Sequence, residues 1–165
     1  MQISKNFTLQ ELTRSNVAIR LGLKNDPTTD GIHKLTVMVN SLIQPIRDRL
    51  GPIRVTSAYR SLEINTAIGG SSDSQHCRYE ACDLQYVYKN RMDNIKIYEA
   101  LKDLDLDFDQ CILEFGDGDE LRDPLFPAWI HLSYKIVDNR REVLVAYKDD
   151  NNKTKYRFPR KYTAL

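Results

Sequence analysis

The sequence is poor in several features that would each point to a class of protein. Its 165 residues include three cysteines, an odd number that does not fit the paired framework of a secreted disulfide scaffold. They are Cys77, Cys82 and Cys111. No apolar run approaches the roughly 20 residues that cross a bilayer. Only three histidines are present, His33, His76 and His131, so few residues are available to build a metal site.

The charge balance is nearly neutral. The chain carries 24 Lys and Arg against 23 Asp and Glu, a net charge of +1, so no overall field attracts it to nucleic acid or to an anionic membrane. With 41% hydrophobic and 28% charged residues the chain can bury a core. We therefore expect one domain over 1–165, with a core at about 6–148 and a polar, basic C-terminal tail at 149–165.

Hydrophobic periodicity predicts both helices and strands. Thr8, followed by Glu11, is typical of a short helix start, and a 3.6-residue apolar stripe predicts the main helix over 34–50, with a kink at Pro45. A short helix is expected after Tyr59 and another helix near 95–104. Alternating or apolar runs predict the strands at 53–57, 81–87, 108–115, 129–137 and 142–147. The spacing at 138–141 suits a hairpin between the last two strands. The order of elements favours an α+β fold, a small, mainly antiparallel sheet with helices packed on it.

Two histidines and one aspartate stand out as candidate metal ligands. His76 and Asp83 flank a short segment that enters a strand, and His131 lies on the more polar face of a later strand. Two imidazoles and a carboxylate form a recurrent catalytic zinc set that leaves one coordination position open. The structural alternatives to a zinc site are His76 as an exposed loop residue, His131 as a half-buried strand residue and Asp83 as a turn cap. His33 is expected at the surface. Cys77 and Cys82 near His76 lack the second half of a structural zinc module.

The sequence resembles the M15 metallopeptidases of the zinc D-alanyl-D-alanine carboxypeptidase type, especially their small phage- and prophage-encoded branch. The resemblance extends from about Asn6 to Ser133 through NFTLQELTRS, PIRDRLGPIRVTSAYRS, GGSSDSQHCRYEACD, FDQCILEF and WIHLS. The family pattern S-x-H-x-x-G-x-A-x-D, followed downstream by Trp-x-His, is matched at six positions. These are Ser74, His76, Ala81, Asp83, Trp129 and His131.

The resemblance implies a fold, a metal and an activity. The fold would be the one shared with the hedgehog signalling domain, and Zn²⁺ would be held by His76, Asp83 and His131. Arg60 matches the arginine that contacts substrate and stabilises charge on the scissile carbonyl. The implied function is zinc-dependent hydrolysis of peptidoglycan stem peptides, by a D,D- or L,D-type carboxypeptidase or endopeptidase.

Two positions depart from the family pattern. Tyr79 stands where the motif has Gly, and if that position needs a positive φ we expect a reshaped turn and altered zinc affinity. Ala128 stands where several branches carry an acidic general base. Glu114, which shares a strand face with Gln110 and Ile112, is the candidate base if its strand neighbours that of His131; a structural role is the alternative.

Further side chains near these motifs have candidate roles. Ser74 and Gln75, which flank His76, are expected to orient this ligand or to bind the substrate carboxylate. A loop at 116–127 carries acids that could fold over the cleft or simply face solvent. They are Asp117, Asp119, Glu120 and Asp123.

The expected setting follows from the same observations. The N-terminal region lacks the apolar segment of a secretory signal, which predicts synthesis in the cytoplasm and action on the wall after lysis-type export or as a virion component. Expected partners are a peptidoglycan peptide, no nucleic acid and no membrane span, and the protein is expected to be a monomer. The alternative function is a catalytically inactive wall-binding or virion structural module. A weaker one is glycan or nucleic-acid binding by the basic, aromatic C-terminus.

Overall fold

The computed structural model describes residues 1–162. Its α-helices are α1 (Leu9–Thr13), α2 (Asn16–Leu21), α3 (Thr29–Met38), α4 (Gln44–Leu50), α5 (Leu62–Ala67) and α6 (Ile95–Asp103), with a π-helical turn (Val39–Ile43) between α3 and α4. The strands are β1 (Ile53–Ser57), β2 (Ala81–Tyr88), β3 (Arg91–Met92), β4 (Gln110–Glu114), β5 (Trp129–Ser133), β6 (Glu142–Lys148) and β7 (Thr154–Arg157). Within these residues, no helix is both long and apolar enough to cross a membrane.

The main helical rod is formed by α3, the π turn and α4. It begins at Thr29, five residues before the expected start, because the Thr28 hydroxyl caps it by accepting the Gly31 N–H. The wider π turn lies directly before Pro45, which has no N–H to donate and whose ring crowds the carbonyl four residues earlier. The helix thus continues to Leu50 and keeps one apolar stripe buried along its length. Its fully buried members are Leu35, Met38, Val39, Leu42, Ile43 and Ile46.

The sheet is mixed but mostly antiparallel. Its strand order is β1-β2-β5-β4-β6-β7, with β3 paired to β2, and β4 with β6 is the one parallel pair within residues 1–162. The α+β class with a mainly antiparallel sheet is confirmed, whereas "small" is wrong for a seven-stranded sheet. The predicted hairpin between β5 and β6 is also wrong, because β6 pairs with β4 and β7 instead. Part of the expected tail, Thr154–Arg157, forms β7 at the edge of the sheet.

Side chains alternate along each strand, so the two faces of the sheet carry different sets of residues. One face joins the hydrophobic core beneath the helices. Its side chains are Cys82, Leu84, Cys111, Leu113, Ile130, Leu132, Val143 and Val145. The other face presents Asp83, His131 and Ile112 in one cross-strand row, since these residues are directly paired between neighbouring strands. The second face is the floor of a cleft of about 530 Å³.

Candidate metal centre and cleft

His76, Asp83 and His131 converge on the floor of the cleft. Asp83 on β2 and His131 on β5 are register partners, and His76 is brought over them by the turns between α5 and β2. One ligand atom from each of these side chains lies within 4.8 Å of the other two. Both histidines are buried, at 4% and 8% exposure, so His76 is not the exposed loop residue, and His131 not the half-buried strand residue, of the structural alternatives.

The tautomer of His76 is fixed by the backbone. Its Nδ1 lies 2.7 Å from the carbonyl oxygen of Ala58, which can only accept, so Nδ1 carries the hydrogen. In the neutral ring, Nε2 then presents its lone pair, and this atom lies 3.3 Å from Asp83 Oδ1. A lone pair that faces a carboxylate oxygen is repulsive unless a proton or a cation lies between them. The arrangement therefore fits a bound cation.

The spacing and charge of the three side chains also fit zinc. His131 Nδ1 lies 3.1 Å from the same Asp83 oxygen, and two ligands bound at about 2.0–2.1 Å on a tetrahedral ion lie about 3.3 Å apart. Burial alone would raise the pKa of Asp83, but its interactions with His76 and His131 hold this pKa well below its usual range when cationic charge is present on the ligand rings or between them. Asp83 is thus an anionic ligand at neutral pH.

Glu114 lines the same cleft. Its strand, β4, is the neighbour of β5, and Ile112 pairs with His131 two residues before Glu114 pairs with Trp129. Glu114 therefore points to the same side of the sheet as His131. Burial and the Asp83 carboxylate raise the pKa of Glu114 to about 7, although His131, Trp129 and Arg60 act in the opposite direction. A carboxyl with such a pKa can accept and return protons near neutral pH.

Arg60 and Asn65 come after β1, the edge strand on the opposite side of the sheet from β7. Arg60 follows β1, and its backbone N–H donates to the His76 carbonyl at 3.3 Å. The Arg60 Nε is buried without a hydrogen-bond partner among the described residues, and so is the Oδ1 atom of Asn65. Both residues line the cleft. This part of the cleft thus holds an unpaired cationic donor and an unpaired acceptor.

Ser74 and Gln75 also line the cleft, but Gln75 is turned into the protein. Its Nε2 donates to Asp109 Oδ2 at 2.8 Å, and Arg140 donates to both oxygens of that buried carboxylate. Lys135 Nζ lies 3.1 Å from Asp109 Oδ1. The amide of Gln75 therefore anchors the loop that carries His76. A direct substrate contact by Gln75 would have to use its carbonyl oxygen or its second amide hydrogen.

Tyr79 itself adopts the left-handed backbone conformation, with φ of 64°. Its ring stacks on Tyr59 with centroids 4.0 Å apart, and its hydroxyl accepts the Thr28 N–H at 3.2 Å. A Cβ on Gly31 would lie 2.3 Å from the ring, so the absence of a side chain at Gly31 makes room for Tyr79. Tyr79 thus adopts the left-handed turn conformation that the family glycine would adopt at this position.

The loop acids lie beside the C-terminal strand. Asp123 is buried and pairs with Arg157 at 2.6 Å, while the Asp119 carbonyl accepts from the same guanidinium. His33 is exposed, as predicted, and the three cysteines are unpaired. Cys82 lies on the core face of β2, away from the candidate metal ligands.

Some residues of the cleft were not among those singled out from the sequence. Leu144 on β6 and Asn65 on α5 line it. Tyr156 on β7 lines it too, although the sequence pointed to this residue only as part of the basic, aromatic C-terminus. The sequence does contain a signal for β7, because the polar residues of 149–153 form a turn between two runs of strand-forming residues. The basic composition of the C-terminus obscures this signal.

The family assignment agrees with this geometry. A sequence profile of the peptidase M15 family matches residues 5–110, well over half of the chain. The chain belongs to the peptidase M15 family. Membership in the M15 family indicates a metallopeptidase, and the matched range contains His76 and Asp83 but ends before His131. No curated protein matches the sequence.

Proposed function

We propose that this M15 family protein is a zinc-dependent peptidase that hydrolyses stem-peptide bonds of peptidoglycan, as a D,D- or L,D-carboxypeptidase or endopeptidase. The observation that carries the proposal is the convergence of His76, Asp83 and His131 on the floor of an open cleft. We further propose that the protein is encoded by a phage or prophage, acts as a single-domain monomer with the hedgehog-like fold, and reaches the wall after lysis-type export or within a virion.

The three candidate ligands and their supports define what a bound metal would do. When bound, zinc would supply Lewis acidity toward the scissile carbonyl and toward water. Ala58 holds His76 in the tautomer that presents Nε2, and Gln75 ties the same loop to Asp109. Such outer contacts keep ligands oriented and commonly change metal affinity 10- to 100-fold when they are removed.

Glu114 is the proposed general base. The position three residues before His131, where several family branches have an acid, is Ala128, and the Ala128 N–H donates to the Glu114 carbonyl at 2.8 Å. The backbone of Glu114 thus lies beside Ala128, the position at which those family branches have the acid. A carboxylate supplied from β4 can take the proton of the attacking water and deliver it to the leaving amine.

Arg60 is the proposed substrate-binding cation. Its buried, unpaired Nε supports this role, because a guanidinium without a protein partner retains its capacity to bind a carboxylate or a developing oxyanion. Ser74, at the same side of the cleft, is proposed to contact the substrate as well.

The proposal is tested by metal content and by digestion of purified peptidoglycan. Wild-type protein is expected to contain one zinc per chain and to release peptide fragments whose masses identify the bond, and a chelator should abolish release. His76→Ala and His131→Ala should lose zinc, whereas His33→Ala, at an exposed position, should behave as wild type. Unchanged zinc content in both ligand variants would refute the site.

The Glu114→Gln variant tests the role of Glu114 as general base separately from metal binding. We expect it to keep zinc and to lose at least about 100-fold in kcat, the usual contribution of a general base. In wild type, kcat/KM should rise with pH as Glu114 loses its proton, along a limb at or below about 7, since a bound cation lowers this pKa further. The limb should be absent in Glu114→Gln. Zinc-loaded wild type that releases no fragment would favour the inactive binding module.

A further inference from the structure

Tyr156 lies in the cleft although it belongs to the last strand of the described chain. Glu114 pairs with Ala146, and Ala146 pairs with Tyr156, so these three residues form one row across β4, β6 and β7. Paired residues point to the same side of a sheet, which places Tyr156 on the face that carries Asp83 and His131. Residue 156 lies well beyond the range matched by the family profile.

The residue between Tyr156 and Glu114 is small. Ala146 is fully buried and has no side chain beyond its Cβ, so the ring of Tyr156 has room to lean over it toward Glu114. Burial and the charges of Glu114 and Asp83 raise the pKa of Tyr156, so its hydroxyl stays protonated. Within residues 1–162 this hydroxyl donates to no protein group. Tyr156 therefore presents an unused hydrogen-bond donor at this end of the cleft.

Contacts on the C-terminal side of Tyr156 hold β7 in place. The side chains of Arg157 and Asp123 are 14% and 4% exposed and are paired at 2.6 Å. Asp123 also accepts the backbone N–H groups of Arg160 and Lys161. The edge strand is thus fastened to the 116–127 loop immediately after Tyr156, which holds the backbone of this residue beside the cleft while its side chain stays 56% exposed.

The cleft is long compared with a single peptide bond. Neighbouring strands are about 4.8 Å apart, so the three steps from β5 to β7 span about 14 Å, which an extended peptide crosses in about four residues. Arg60 also lines the cleft and follows β1, the edge strand on the opposite side of the sheet from β7. A bound peptide would therefore extend from the reacting bond toward β7.

The charges of the cleft indicate which part of a peptide would lie at each end. Arg60 attracts a carboxylate, whereas Glu114 and Asp83 repel one from the neighbourhood of Tyr156. A neutral amide carbonyl is therefore the acceptor that best fits the Tyr156 hydroxyl.

We propose that Tyr156 is a substrate-contacting residue that donates its phenolic hydrogen to a backbone carbonyl of the peptide, two to four residues from the scissile bond, and so selects peptides longer than a dipeptide. The inference rests on the proposed peptidase function. It makes the β6–β7 hairpin part of the substrate site and orients the peptide with its carboxyl end toward Arg60.

The test is a series of peptides that share one scissile bond and are lengthened one residue at a time away from the Arg60 end. With Tyr156→Phe, kcat/KM for the longest peptides should fall about 3- to 10-fold through KM, the range expected for one hydrogen bond, and with Tyr156→Ala it should fall further. The dipeptide should be unaffected by either variant. Lys155→Ala, on the same strand, is the matched control and should leave every peptide unchanged. An equal effect of Tyr156→Ala on all lengths, or no effect on any, overturns the inference.

Calorimetric binding of the same peptides to metal-free protein separates this inference from the peptidase proposal. Binding that strengthens with peptide length in wild type, and loses this dependence in Tyr156→Ala, supports the inference even if no peptide is cleaved. Cleavage or binding without any dependence on Tyr156 overturns the inference and leaves the peptidase proposal intact. If wild type neither binds nor cleaves the series, both are overturned. Circular dichroism of each variant verifies the fold.

Discussion

At the scale of single residues, Tyr79 shows how the chain accommodates an unfavourable backbone conformation. A left-handed φ costs a bulky residue about 1 kcal/mol or more, and the stack on Tyr59 together with the hydrogen bond from Thr28 offsets that cost. Because the Tyr79 ring occupies the space beside Gly31, these two positions depend on one another. The backbone next to His76 is held by this packed pair of aromatic rings.

The dependence between Gly31 and Tyr79 is measurable. Gly31→Ala should lower the free energy of unfolding by about 1–2 kcal/mol, because the clash with the ring outweighs the gain in helix propensity. In a Tyr79→Gly background the same substitution should raise it by about 0.5–1 kcal/mol. Urea denaturation of the four proteins gives the coupling, and exposed His33→Ala, which changes helix propensity without touching the Tyr79 ring, is the control. Additive effects of the two substitutions on the free energy of unfolding would show that the Tyr79 ring moves aside at no cost.

At the scale of elements, the sequence reveals what depends on local pattern and misses what depends on pairing. The capping hydroxyl of Thr8 and the strand at 53–57 lie where predicted, because capping and alternation depend only on residues a few positions apart. The hairpin predicted at 138–141 is absent because β6 pairs with β4 instead of β5. No local pattern encodes the pairing of strands that are distant in the sequence. His76, Asp83 and His131 could be singled out by residue type, whereas Tyr156 required the strand order.

Asp109 connects several elements through one buried carboxylate. Burial would raise its pKa, but hydrogen bonds from Arg140, Lys135 and Gln75 hold this pKa well below its usual range. The charged form is therefore favoured in the folded protein relative to the unfolded chain, whose aspartates titrate near 3.9. The resulting stabilisation is complete above about pH 4 and is lost as the pH falls further.

Asp109→Asn should therefore lower the free energy of unfolding by about 3 kcal/mol at pH 7, the typical cost of breaking a buried ion pair. The difference from wild type should shrink when both proteins are compared by urea denaturation near pH 3. Exposed Asp150→Asn is the control and should be neutral at both pH values. A difference that is constant with pH would show that Asp109 acts through packing rather than through charge.

At the scale of the whole molecule, the candidate metal ligands join distant parts of the chain. His76 comes from a loop, Asp83 from β2 and His131 from β5, so an ion bound by all three would link the loop to the centre of the sheet. Such an ion binds only the folded state with full affinity. Metal binding and global stability are therefore coupled.

Zinc should accordingly raise the free energy of unfolding by about 2.7 kcal/mol at a free concentration 100 times its dissociation constant. Thermal denaturation with zinc and with chelator measures the effect, which should vanish in His131→Ala and persist in Glu114→Gln. An equal zinc effect in His131→Ala would place the ion elsewhere.

The position of β5 has a consequence for how the protein folds. β5 lies between β2 and β4, yet both of these strands precede it in the chain. They pair with Trp129–Ser133 on either side rather than with one another, so this part of the sheet is continuous only when that strand is in place. Non-local strand pairing is slow compared with helix formation. Because His131 belongs to that strand, the complete ligand set exists only once β5 has paired with β2, and we expect zinc binding during refolding to report on this step.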